Sequence, residues 1–230
     1  MRESFQEQLR TILEKITLMG GLAEGMIQDA IRGLLTRDPS AADRVMADER
    51  RVNQLHLEID EMIVRTMALQ APVAGDLRFV VMSSRVTSDV ERIGDQAVNV
   101  VQNTRFVLEG DHGPILHDFS EMGEIVVAMV ADALMALVTR DCDLAEQVLV
   151  TEKQVDALRD GIFRKLLLNL DGADHQTASR SISLILISRN LERIGDHASN
   201  IAEEVIYIVR GQDVRQRYDQ PSRADGVSPL

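Results

Sequence analysis

Two segments of the 230-residue chain hold acids at the same spacing inside the same five letters: Glu91 and Asp95 in "DVERIGDQAVN", Glu192 and Asp196 in "NLERIGDHASN". Residues four apart share one face of a helix, so each segment presents a carboxylate pair. Asn99 and Gln102 continue the first row, Asn200 and Glu203 the second. Ile93 and Ile194 lie about 200° round the helix from the preceding Glu, which turns the isoleucine to a core and the acids away from it. Like charges at this spacing cost roughly 0.2–0.5 kcal/mol, and Gly94 and Gly195 cost roughly 1 kcal/mol each against Ala in a helix interior. A local rule broken twice in the same way points to function.

A further pair supplies the opposite wall. Glu152 and Asp156 in "EKQVD" repeat the spacing, and Glu49 and Asn53 in "ERRVN" stand at the equivalent places, each beside an apolar Val. Brought together in antiparallel hairpins, these pairs would converge four oxygen-bearing side chains on each surface. Without Lys or Arg on that face, such a group needs a cation. All-oxygen ligand sets select hard ions, here magnesium, calcium, manganese or oxidised iron; zinc is less favoured without Cys and His ligands. Asn53 leaves the first group one charge poorer, so the second is expected to fill first. His56 shares the Glu49 face but reads first as an exposed helix histidine. His197 points about 100° away from Asp196. Arg92 and Arg193 are placed to brace neighbouring carboxylates or to pair at the surface.

Other chemistries lack their residues. None of the expected helices carries the Glu-x-x-His of a ferritin-like di-iron site, and no nucleophile elbow, P-loop or HExxH motif occurs. A signalling adaptor with metal-shaped surfaces is therefore the first reading, not an enzyme. A metal-dependent enzyme or metal store using the same carboxylates is the alternative.

The elements that must position these side chains come in two copies. "TRD" at Thr36–Asp38 returns at Thr139–Asp141, a shift of 103 that also carries Val45 to Val148, Glu49 to Glu152 and Val52 to Val155; at ERIGD the shift is 101. A duplicated unit with a two-residue deletion in a connection explains this. Each unit reads as three helices: about 5–36, 40–69 and 76–108, then about 115–138, 143–170 and 174–210. Asp38 or Ser40 is expected to cap the second helix and Asp76 the third. Val86, Val90, Ile93, Ala97, Val100, Thr104 and Val107 form an apolar seam, and Ile187, Leu191, Ile194, Ala198, Ile201, Val205 and Ile208 repeat it. Short connections make neighbouring helices antiparallel. The expected fold is all-α: six helices in two tandem three-helix bundles, 1–110 and 111–211, with a disordered tail at 212–230. "MGG" at Met19–Gly21 reads as a site of close helix packing.

Composition fits. Aromatics are 3% of residues and Trp is absent, so the core must be aliphatic, as helix–helix packing prefers. A net charge of -12 repels a phosphate backbone and argues against nucleic-acid binding. The one cysteine, Cys142, permits no intrachain disulfide and reads as a small buried residue. The N-terminus has no signal-peptide core. No run is expected to span a bilayer, the longest candidate being Leu184–Ile187, and a cytoplasmic location follows.

These residues resemble the PhoU family of phosphate-uptake regulators. The resemblance covers nearly the whole chain and rests on "MGG", "GDLR" at Gly75–Arg78, the doubled ERIGD and "RGQD" at Arg210–Asp213. It implies two three-helix bundles, homodimers, and multinuclear metal clusters held by E(D)xxxD motifs on the bundle surfaces. Those motifs fall on Glu91/Asp95, Glu152/Asp156 and Glu192/Asp196, with Glu49/Asn53 as a departure from the acidic pattern. The resemblance also implies a restraint on the phosphate-starvation response, through contacts with the ATPase subunit of the phosphate ABC transporter and with a sensor histidine kinase.

Overall fold

The computed structural model describes residues 2–109, 115, 117–170 and 172–214, with side chains from Phe5 onward. Every regular element among them is an α-helix: α1 (Arg2–Thr36), α2 (Ala41–Gln70), α3 (Ala74–Leu108), α4 (Asp118–Thr139), α5 (Cys142–Leu168) and α6 (His175–Arg210). The helices pack as α1–α2–α3 and α4–α5–α6, each trio closed on itself. Both apolar seams are buried along their whole length, which is the tandem three-helix arrangement the periodicity requires.

The repeated TRD is helix punctuation. Thr36 and Thr139 each return a hydroxyl hydrogen bond to the carbonyl four residues back. Arg37 and Arg140 then turn left-handed, with φ of 59° and 57°. The amides of Asp38 and Asp141 close onto the carbonyls of Gly33 and Ala136, both at 3.0 Å, the bond that ends a helix by a Schellman motif. The aspartate opens the next helix. Asp141 accepts from the Asp143 and Leu144 amides, and Asp38 accepts from the amide and hydroxyl of Ser40. Ser40 holds the N-cap place, but its hydroxyl caps no helix amide. The expected cap of α3 is corrected: Val73 stands there, and Asp76 lies one turn in, where its charge still favours the helix N-terminus.

Among the described residues, two helix pairs make the extensive contacts between the bundles. α3 against α6 is the most extensive of any helix pair, and α1 meets α4 on the other side. The α1–α4 contact is built on glycine notches related by the repeat. A Cβ at Gly20 would lie 2.3 Å from Leu134, and one at Gly123 would lie 2.4 Å from Ile31. "MGG" is thus a packing site through Gly20, while nothing faces Gly21 within 4 Å. The sandwiched α4 corrects the expectation about apolar runs. Among the described residues it is long and apolar enough to cross a membrane by length and composition, with a mean hydropathy of 1.9, and half of that window is buried inside the protein. Cys142 is buried at the start of α5. Of the tail expected to be disordered, 215–230 lie outside the described residues, whereas Val214 is buried and packs with the core.

Candidate metal centre

In the first bundle α2 contributes Glu49, Asn53 and His56, and α3 contributes Glu91 and Asp95. Asn53 donates to Glu49 at 2.5 Å, and His56 lies 3.4 Å from Asp60 on its own helix. Glu49, Glu91 and Asp95 are in no ion pair among the described residues. Their proximity shows in their acidity. Glu91 is pushed up from the ordinary carboxylate range by burial, then by the charge of Asp95 and more weakly of Glu49, with His56 and Arg92 opposing. Asp95 is pushed up by burial and then by Glu49, with His197 opposing.

In the second bundle α5 contributes Glu152 and Asp156, and α6 contributes Glu192 and Asp196. Asp196 keeps an exposed side, yet burial on its inner side raises its pKa, followed by the charges of Glu192 and Asp156; His197 and Arg193 oppose. Here the premise of a face without Lys or Arg is corrected. Arg159 of α5 reaches Glu192 across the helix pair at 2.9 Å, Asp160 at 2.9 Å and Asp156 at 3.6 Å. The extra charge of Asp156 is thereby offset, which removes the ground for expecting the second group to fill first.

Side chains that spacing alone did not single out join the two groups across α3 and α6. Asp89 faces His197 Nδ1 at 2.9 Å and accepts from Asn200 at 3.2 Å. Arg85 donates to Glu204 at 3.0 Å. His197 therefore belongs to the seam between bundles, where it opposes the rise of both Asp95 and Asp196. The repeat could have flagged it: the shift of 101 sets Asn190 and Gln96 in the places of Asp89 and His197, so an aspartate–histidine pair stands where two amides would.

Among the described residues, no group of three or more His, Cys, Asp or Glu converges into a ready-made ligand cage. The donor chemistry nevertheless suits a hard cation in the first bundle, where Glu49, Glu91 and Asp95 stand with the Asn53 amide and are in no ion pair among the described residues. In the second bundle a guanidinium already holds part of that role.

Comparison with known proteins gives the setting. The PhoU domain model matches residues 16–104 and again 119–205, one match on each bundle. The chain belongs to the PhoU family. It is 37% identical over 93% of its length to a phosphate-specific transport system accessory protein PhoU homolog of Pseudomonas putida, covering 83% of that protein. It is 33% identical over 92% of its length to the phosphate-specific transport system accessory protein PhoU of Escherichia coli K12, covering 87% of that protein. The crystal structure of PhoU from Pseudomonas aeruginosa superposes with a TM-score of 0.86 at 37% identity, over 90% of this chain and all of that one. A PhoU from Streptococcus pneumoniae shares the fold at a TM-score of 0.84, 23% identity, 91% of this chain and 99% of that one. The family is one of regulatory accessory proteins, not of enzymes.

Proposed function

We propose that this protein is a cytoplasmic accessory regulator of phosphate uptake that restrains the phosphate-starvation response by docking, as a homodimer, between the ATPase subunit of the phosphate ABC transporter and a sensor histidine kinase. The observation that carries the reading is the double match of the PhoU domain, one per bundle, in a chain that also aligns over nine-tenths of its length with named phosphate-transport accessory proteins. A role in phosphate transport regulation follows from membership; the two partners, the dimer and the compartment are the finer proposal.

The carboxylate faces are the proposed means of control. Glu49, Asn53, Glu91 and Asp95 would hold a hard cation or a small cluster of them at the first face, with Glu152, Asp156, Glu192 and Asp196 as the matching set. The bound metal would supply positive charge and accept the carboxylate and amide oxygens as ligands. The residues do the rest: the acids keep negative charge concentrated at the α2–α3 and α5–α6 edges, and the backing Val52 and Val155 hold those edges in register. Cation occupancy would change the surface charge that a partner meets.

The test is a deletion strain complemented by the full chain or by Glu91→Gln/Asp95→Asn. Deletion is expected to switch on phosphate-starvation genes in rich phosphate, the wild-type chain to silence them, and the variant to silence them in part. Pull-down of the transporter ATPase with and without chelator checks the docking step. A deletion strain with a normal phosphate response removes the regulatory reading.

A further inference from the structure

We infer that Arg159 is a built-in competitor for cations at the second carboxylate face, so that the first bundle is the cation-responsive half of the molecule. The inference rests on the metal-binding part of the function proposed above and assigns its asymmetry to one residue.

The repeat shift of 103 carries Asn53 to Asp156 and His56 to Arg159. The two exchanges compensate. The first face has Glu49, Glu91 and Asp95 with the neutral Asn53; the second has Glu152, Asp156, Glu192 and Asp196 with the cationic Arg159. With histidine counted as neutral, each face carries a net charge of -3. Equal charge is reached by different means, and the means decide what a dissolved cation finds.

At the second face it finds a guanidinium in place. Arg159 spans α5 and α6 to touch three acids, the nearest two at 2.9 Å. A guanidinium is charged at every physiological pH and offers several fixed donors, so it cannot step aside by losing a proton. It is two-thirds buried, with 32% of its side chain exposed. A metal ion approaching Glu192 would meet repulsion from this charge at close range, or would have to displace it.

At the first face the corresponding side chain is an imidazole. His56 turns to Asp60 on its own helix, and Glu91 and Asp95 have no cationic partner bridging from α2. An imidazole carries charge only when protonated and is itself a metal-ligand type. A cation there displaces nothing permanent.

Manganese titration of the full-length chain by calorimetry, with free Mn²⁺ followed by electron paramagnetic resonance, tests this. Wild type is expected to show binding that Glu91→Gln/Asp95→Asn removes and Glu192→Gln/Asp196→Asn leaves in place. Arg159→Gln is expected to add a second binding event, at least tenfold tighter at the second face than in wild type, which Glu192→Gln/Asp196→Asn then removes. His56→Arg is expected to weaken the first event at least tenfold, a check that does not depend on how well the Arg159 variant folds. Wild type that fills both faces equally overturns the inference, as does an Arg159→Gln isotherm matching wild type or a His56→Arg variant of undiminished affinity; in each case the metal reading survives. Absence of manganese binding in wild type and Arg159→Gln alike overturns both.

Discussion

Met26, Val52 and Gly94 in the first bundle occupy the same mutual positions as Met129, Val155 and Gly195 in the second, whereas Asn53 and His56 stand opposite Asp156 and Arg159. The difference shows which constraints a duplicated unit keeps. Core positions are held by apolar pattern and by a few repeated contacts such as this one, while Val86, Val90, Val100 and Val107 give way to Ile187, Leu191, Ile201 and Ile208, since a core tolerates hydrophobic exchange when its patterning is kept. Surface charges are held only by their sum, so an amide and an imidazole can stand where a carboxylate and a guanidinium stand in the other copy. The bundles share an apolar core plan, with Ile93 and Ala97 repeated as Ile194 and Ala198, and differ in their surface electrostatics.

The largest effects should come from the shared part. Ile59 and Ile162 are equivalent under the repeat and each is fully buried, at 0% exposure. Truncating either to Ala should cost about 2–5 kcal/mol. Because α3 and α6 form the most extensive helix contact in the molecule, urea unfolding followed by circular dichroism should show one transition, moved by similar amounts in both variants. Two transitions, each sensitive to its own substitution, would break the comparison by showing that the bundles fold independently.

This shared part was legible in the sequence. The two seven-residue seams, the TRD punctuation and the ERIGD pairs all rest on local periodicity, and the structure buries every seam residue. The contacts between bundles were less accessible. Asp89 meets His197 from 108 residues away, and no helical period announces such a partner. Arg159 is a different case. It lies three residues beyond Asp156 and seven beyond Glu152, on the same face by the rule that grouped the acids, and the repeat aligns it with His56. Its signal was present but hidden by attention to the acids alone. The cap of α3 was misplaced because Asp76 has a favourable charge one turn inside the helix, and charge alone does not fix where a helix begins.

An intermediate effect is expected at the ERIGD glycines. Their doubled occurrence inside helices suggested a function, but the structure offers only a mild steric reason. A Cβ at Gly94 would lie 3.4 Å from Met26 Cε and 3.6 Å from Val52; at Gly195 it would lie 3.5 Å from Val155 and 3.8 Å from Met129. These are contacts that a flexible methionine end accommodates. Gly94→Ala and Gly195→Ala should therefore each stabilise the metal-free protein by about 0.5–1 kcal/mol through helix propensity, with Gly195 gaining slightly more. Thermal unfolding would register roughly 1–4 °C upward. Destabilisation at both positions would show that the helices pack closer than these distances and that the glycines are steric necessities.

The smallest effect separates the two carboxylate faces by pH. Glu91, Asp95 and Asp196 have folded-state pKa values raised above their ordinary ones. As pH falls from neutral through those raised values, the native state takes up protons that the unfolded chain does not yet bind, so metal-free stability rises. The gain stops in the ordinary carboxylate range, where the unfolded chain protonates too. Below it the sign reverses: Asp38, held down to about 2 by hydrogen bonds from Ser40 and Arg44, has favourable contacts that are lost as it protonates. Asp196→Asn and Asp95→Asn should each flatten the rise between neutral pH and the carboxylate range. Solvent screening keeps the change to about 0.5 kcal/mol, or roughly 1–2 °C in Tm. Asp196 is raised by two acidic neighbours, Glu192 and Asp156, against one for Asp95, Glu49, so its substitution should flatten the curve more. Arg159→Gln in the otherwise unchanged chain should steepen the slope, because the guanidinium no longer offsets Glu192 and Asp156. Stability curves that stay parallel in all these variants would mean that the acids are fully screened by solvent and that the electrostatic difference between the bundles has no thermodynamic weight.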